Sequence, residues 1–255
     1  MKYLIIHIVL LLLTPLTGFS QYTKIISEGR IEFEKKVNTY VILDSIYLNS
    51  PITDFKEFVR NYKLNNAKIK TSYCHLIFEK NKSIFQYNNS ATDNDFLSSY
   101  ANDNTVFINL QNNYRVSIKN VLGNGYLLED SIRKINWKIT DEMREIAGYS
   151  CRRANAIIQD SIYVVAFYTD EISTMSGPES FSGLPGMILG VALPHEHTSW
   201  FATQVILDPK DLKMIVQPKN GRKIKSKELE GLIRENSPLN KDRQFMNWIL
   251  KRISL

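Results

Sequence analysis

The strongest constraint on this chain is a series of short segments rich in apolar and β-branched residues, separated by only a few turn-forming residues. "TSYCHLIF" and "SIFQY" flank residues 79–82, "TVFINL" and "YRVSI" flank residues 111–113, and stretches 148–158 and 162–169 flank Gln159-Asp160. Each pair predicts a β-hairpin. With no regular helix between the strands, the arrangement points to an antiparallel sheet rather than βαβ units. Upstream, "RIEFEKKVN" alternates, with Ile31, Phe33, Lys35 and Val37 on one face and Glu32, Glu34 and Lys36 on the other, the pattern of a half-buried strand. "MILGVAL", "SWFATQVIL" and "LKMIVQ" also read as strands, with breaks at Asp208-Pro209 and from Pro218 to Gly221.

Three segments have helical spacing instead. Ser50-Pro51 offers a cap and a first-turn proline ahead of Phe55, Phe58, Val59 and Tyr62. Ser226 precedes a short helical run, and Ser237-Pro238 precedes another that carries Leu239, Phe245, Met246, Ile249 and Leu250. The expected fold is mainly β (α+β): a curved antiparallel sheet or open barrel, with one short helix in the N-terminal half and two C-terminal helices over about residues 226–252.

At the N-terminus, Lys2 precedes an apolar run from Tyr3 to Leu13, and small residues follow at Gly18 and Ser20. This is the layout of a secretory signal peptide over residues 1–20, and the run is too short to span a bilayer. The expected mature chain, residues 21–255, is a single exported β-rich domain without a transmembrane segment, periplasmic or associated with the outer membrane. The full sequence has 32 basic and 26 acidic residues, a net charge of +6. That mixture reads as a solvated surface, with anionic lipid headgroups as an alternative contact and no nucleic-acid partner expected. The basic C-terminal tail, with Arg222, Lys223, Lys225, Lys241, Arg243, Lys251 and Arg252, reads the same way.

The densest punctuation is "GPESFSGLPGMILGV" at residues 177–191. Pro185 presets φ and Gly186 accepts a positive φ, so Leu184 to Met187 is expected to form a type II turn. Gly177-Pro178 makes a second corner, leaving Glu179 to Ser182 as a small exposed loop of the kind that carries recognition. The segment lacks the G-x-S-x-G spacing of a nucleophile elbow and the G-K-[ST] ending of a phosphate loop.

Together, Trp137, "GYSCRRANAI" from Gly148, "VAFYTDEI" ending at Ile172, and "GPESFSGLPGMILGV" resemble the GLPGLI family of exported proteins from Bacteroidota. A weaker echo lies in "GRIEFEKKVN". Met187 stands where the family's name has leucine. The resemblance implies export and an outer-membrane transport context, and it brings no catalytic residues with it.

Two further constellations carry chemistry. His195 and His197 flank Glu196, and Ser199 occupies the position where H-E-x-x-H would need its second histidine. On an extended segment both imidazoles share a face and could hold a transition metal, with His75 as third ligand. The other reading is a polar turn with exposed histidines. Cys74 and Cys151, the only cysteines, fall in separate strand-like segments of an exported chain and are expected to form a disulfide. A reactive Cys151 thiol beside Arg152 and Arg153 is the alternative.

The functional expectation is a non-enzymatic binding or accessory protein that requires no cofactor. Its contact residues would be Glu179, Phe181, Leu184, Pro185 and Gly186, and its partner an outer-membrane transport protein or a lipid-like or peptide ligand. A metal-binding accessory protein using His195 and His197 is the alternative, and a hydrolase of unfamiliar design a third reading.

Overall fold

The computed structural model of the protein describes residues 25–47, 53–88, 104–121, 123–207, 210, 212–236 and 243–255. The apolar N-terminal segment and the Ser50-Pro51, Asp208-Pro209 and Ser237-Pro238 breaks lie outside the described residues.

Alternation builds the first strand as expected. In β1 (Glu28–Asn38), Ile31, Phe33, Lys35 and Val37 are all buried. The chain then turns directly into an unforeseen helix, α1 (Thr39–Tyr47). Asn38 caps it by accepting the Val41 backbone N–H at 3.3 Å, and Ile42, Leu43 and Ile46 bury one face. The β-branched residues of "TYVILDSIY" disguise this helix, because tertiary burial outweighs their weak helix propensity. The expected helix follows as α2 (Thr53–Asn65), which buries Val59 but leaves Phe58 exposed.

All three expected hairpins form: β2 (Ile69–Glu79) with β3 (Lys82–Tyr87), β4 (Thr105–Asn109) with β5 (Tyr114–Val121), and β8 (Tyr149–Ile158) with β9 (Ile162–Thr169). β10 (Met187–Leu193) and β11 (Thr198–Ile206) also match expectation, whereas β6 (Asn124–Ser131), β7 (Lys138–Ile146) and the short β12 (Arg222–Lys223) do not follow from the sequence pattern. The twelve strands among the described residues make one open sheet, in the order β12-β6-β5-β4-β3-β2-β1-β11-β10-β9-β8-β7. It is mixed rather than purely antiparallel, since β12 pairs parallel to β6.

"LKMIVQ" is not a strand. Leu212–Met214 forms a 3-10 turn, Met214 and Val216 are largely exposed, and Ile215 covers a small outer-face cluster of Phe107, Val116 and Leu127. Its apolar residues serve as a cover over that cluster rather than as a further strand of the sheet.

Two C-terminal helices, α3 (Ser226–Asn236) and α4 (Arg243–Ser254), bring the described helices to four against the three expected. With α1 they form a helical core against one end of the sheet, where Leu229, Ile233, Phe245, Ile249 and Ile253 meet Val37, Val121 and Tyr126. A larger core of strand residues, including Ile31, Phe33, Phe78, Phe85 and Trp200, lies beside it. Lys35 sits between Phe33 of the larger core and Val37 of the helical one. A seam of polar groups runs there.

Candidate functional site

The Gly-Pro segment leaves β9 and returns as β10, and it lies inside the fold rather than on it. Glu179 is 2% exposed, and Phe181 and Leu184 are each 1% exposed. The expectation of an exposed recognition loop is therefore overturned for these residues. Only Gly183 and Pro185 of residues 177–186 are exposed. The reason is tertiary: the loop packs against side chains from strands distant in sequence, with the Phe181 and Trp200 ring centroids 6.3 Å apart. Trp137 Nε1 donates to the Ser182 carbonyl at 3.0 Å and holds the outer bend.

Glycine is required at both corners, although the second is not a type II turn. The Gly186 N–H reaches the Leu184 carbonyl at 2.8 Å, an i to i+2 bond centred on Pro185, as in a γ-turn. The Met187 N–H goes instead to Ile172 at 3.1 Å. Gly186 has φ +146°, and a Cβ there would come within 2.0 Å of the Thr169 carbonyl oxygen. A Cβ on Gly177 would lie 2.7 Å from that of Ile188. These close approaches lock Glu179 in place with a positive φ of 52°, a conformation unusual outside glycine.

Held there, the Glu179 carboxyl accepts hydrogen bonds from Tyr87 Oη at 2.7 Å and Asn104 Nδ2 at 2.8 Å. Lys35 Nζ donates to the same Tyr87 oxygen at 2.8 Å. A cation, a phenol and a carboxyl thus form a relay across the seam. The Lys35 ammonium also lies 5.0 Å from the Tyr87 ring centroid and 5.3 Å from that of Trp200, within cation–π range. Burial first, and then the negative charge of Glu179, pushes the Tyr87 phenol well above its ordinary range, so it stays a donor.

Beside the relay is a small space of about 20 Å³, between Lys35, Glu179, Thr198 and Trp200 on the sheet side and Trp248 and Lys251 on α4. It combines aromatic walls with charged groups, a lining suited to an amphipathic molecule. Lys251 closes one side through an ion pair with Glu196 at 2.5 Å.

Lys35, Tyr87, Asn104 and Trp200 were not among the expected site residues. One signal was available for Lys35, the charged member of an otherwise apolar strand face. No local pattern marks the others, which reach Glu179 from distant positions.

The remaining expected site residues are scattered. His195 and His197 are exposed in a 3-10 turn, Pro194–Glu196, and its αL cap. His75 is buried on β2 with Nδ1 2.5 Å from Asn88 Oδ1. Thr198, next to His197, pairs with Val37, whereas His75 faces Glu32. Five residues along a strand place His75 about 16 Å away from that turn. The three histidines are not brought together, and among the described residues no group of three His, Cys, Asp or Glu side chains could hold a metal.

Cys74 and Cys151 are both buried free thiols, which corrects the expected disulfide. They lie on β2 and β8, with β1, β11, β10 and β9 between them. A bridge needs Cα atoms within about 7 Å, whereas five steps across the sheet are about 24 Å along its surface. The reactive-thiol alternative fares no better, because burial, then the negative charge of Glu171, pushes Cys151 up to about 12.

Residues 156–190, from the end of β8 through the loop into β10, match a protein family described as "Protein of unknown function (Porph_ging)". No curated protein matches the chain. Among solved structures the chain is similar to "Structure of PNGF-II in P21 space group", at 16% sequence identity and a TM-score of 0.53, over 81% of this chain and 33% of that one. "Structure of PNGF-II in C2 space group" is similar at 16% identity and a TM-score of 0.50, over 89% of this chain and 33% of that one. The chain thus spans about a third of that protein's length, and at this identity the likeness is one of fold. No described helix is long and apolar enough to cross a membrane.

Proposed function

We propose that the protein is an exported, non-enzymatic binding or accessory protein of the periplasm or outer membrane, GLPGLI-like in character, whose ligand sits in the seam beneath α4. The observation that carries this reading is the Lys35–Tyr87–Glu179 relay beside a tryptophan-walled space. Burying charged groups costs stability that apolar side chains of similar size would not. A fold retains that cost most readily where it serves a site. The aromatic and charged lining fits a lipid-like or peptide ligand, presented to or received from an outer-membrane transport protein. The signal-like N-terminus and the Gly-Leu-Pro-Gly sequence at residues 183–186 support the exported setting. The likeness to one part of the longer PNGF-II chain supports an accessory module.

The present space has room for about one water molecule. Seating a larger ligand therefore requires α4 to shift and the Lys251–Glu196 pair to open. Native mass spectrometry of protein recovered from its own host is the test. A retained amphipathic molecule, lost in Trp248→Ala and in Glu179→Gln, is the expected result. Recovery from the cytosol with nothing bound would overturn the reading.

A further inference from the structure

Residues Arg115, Ser117 and Lys119 alternate along β5, and alternation places all three on one face of the sheet. That face is the covered one. Ser117 and Lys119 are 3% and 4% exposed, and across the β5–β6 ladder the three residues pair with Asp130, Leu128 and Tyr126. Arg133, just beyond β6, joins them, and its Nη2 donates to the Ser254 carbonyl at the end of α4.

These side chains surround a cavity of about 120 Å³, distinct from the space beside Glu179. Roughly 10 to 15 Å³ on this measure holds one water, and a cavity of about 150 Å³ takes benzene, so this one admits a molecule of several heavy atoms. Three cations line it, against the Glu230 carboxylate at its rim and the main-chain oxygen of Leu255, which accepts from Ser180 Oγ. Asp130 lies beside the wall, 3.3 Å from Arg115 Nη2. Exposed Gln159, Ser226 and Glu230 provide a route to solvent.

Donors outnumber acceptors. Lys119 Nζ, Arg115 Nε and Arg133 Nη1 are buried with no hydrogen-bond partner among the described residues. Buried polar groups are nearly always satisfied, so three cationic donors without a partner among the described residues make this cavity a place for an added acceptor. Arginine supplies planar paired donors and lysine a point charge, and the Ser117 hydroxyl can add to the coordination of an oxygen-rich anion, while the Ser180 and Ser226 hydroxyls already donate to the Leu255 carbonyl and to Asp130 Oδ2.

We propose that this cavity binds a small tetrahedral oxyanion of the phosphate or sulfate class, either free or as the head of a larger molecule. This inference is independent of the ligand proposed beneath α4. Water alone could fill the space, and the experiment separates the two cases.

The purified chain is titrated calorimetrically with sodium phosphate and sodium sulfate, against sodium chloride at equal ionic strength. Saturable binding of phosphate or sulfate, accompanied by a rise in Tm, is expected. Lys119→Met and Lys119→Gln should each weaken it at least about tenfold, the scale of one charged hydrogen bond. Lys56→Ala, a change at an exposed position on α2, should leave it intact. Phosphatidylcholine vesicles with and without phosphatidic acid distinguish the sources. Association with phosphatidic acid that free phosphate displaces and Lys119→Met abolishes identifies a lipid head, and phosphate binding without vesicle association identifies the free ion. No saturable binding of either probe, or binding unchanged in both Lys119 variants, would overturn the proposal.

Discussion

Tyr87 donates its hydroxyl hydrogen to Glu179 across 2.7 Å, although 92 residues separate them, and the same oxygen accepts from Lys35. One phenol therefore satisfies both charged groups of the seam. Tyr87→Phe should strip a partner from each and cost about 2 to 4 kcal/mol, since buried charged groups lose more than neutral ones when left unpaired. Urea denaturation measures this. A loss below about 0.5 kcal/mol would mean that water substitutes for the hydroxyl and that the relay is not a closed unit.

The loop corners are a second target. Gly186→Ala must place a β-carbon into the Thr169 carbonyl while holding a positive φ. A loss of about 3 kcal/mol or more is expected, combining backbone strain with overpacking. Phe181→Ala, which empties the contact with Trp200, should cost about 3 to 5 kcal/mol. Thermal melts of both variants check these values, and a Phe181→Ala protein as stable as wild type would contradict its buried position.

Lys119 makes stability depend on pH in an unusual direction. Burial, only partly offset by Glu179, lowers its pKa from 10.5 to about 8. Between those values the unfolded chain holds the proton more firmly than the folded one, so stability rises with pH from about 8 to about 10.5. Below pH 8 the full cost of burying the cation is present. In chloride buffer at pH 7, Lys119→Met should therefore be more stable than wild type by on the order of 3 kcal/mol, and that gap should close by pH 10.5. Paired urea titrations across this range provide the measurement, and a gap that widens with pH would show the sign to be wrong.

The thiols give a direct chemical readout. Burial, then the negative charge of Glu179, pushes Cys74 well above its ordinary range, and Cys151 rises to about 12. Only thiolates react readily. The folded protein should resist alkylation at neutral pH, while the unfolded, unreduced chain should label at two positions. Fewer than two labelled thiols would restore the disulfide.

How much of this was legible in the sequence depends on whether the determinant was local. Period-two alternation and short turns specify which segments become strands and which neighbours pair. This is why the hairpins at 69–87, 105–121 and 149–169 follow from the sequence. Helical spacing likewise marks α3 and α4. The tertiary structure decided which face of each strand is covered. Arg115, Ser117 and Lys119 share a face on periodicity alone, and a polar face reads as solvent-facing until α3 and α4 close over it. The same limit applies to Glu179, whose glycine- and proline-rich surroundings resemble a surface loop but are enclosed by residues far away in sequence, Tyr87 and Asn104 among them. Cys74 and Cys151 show it as well. Two buried strand cysteines look like a pair in one dimension, and only the strand order, a property of the whole chain's packing, puts four strands between them.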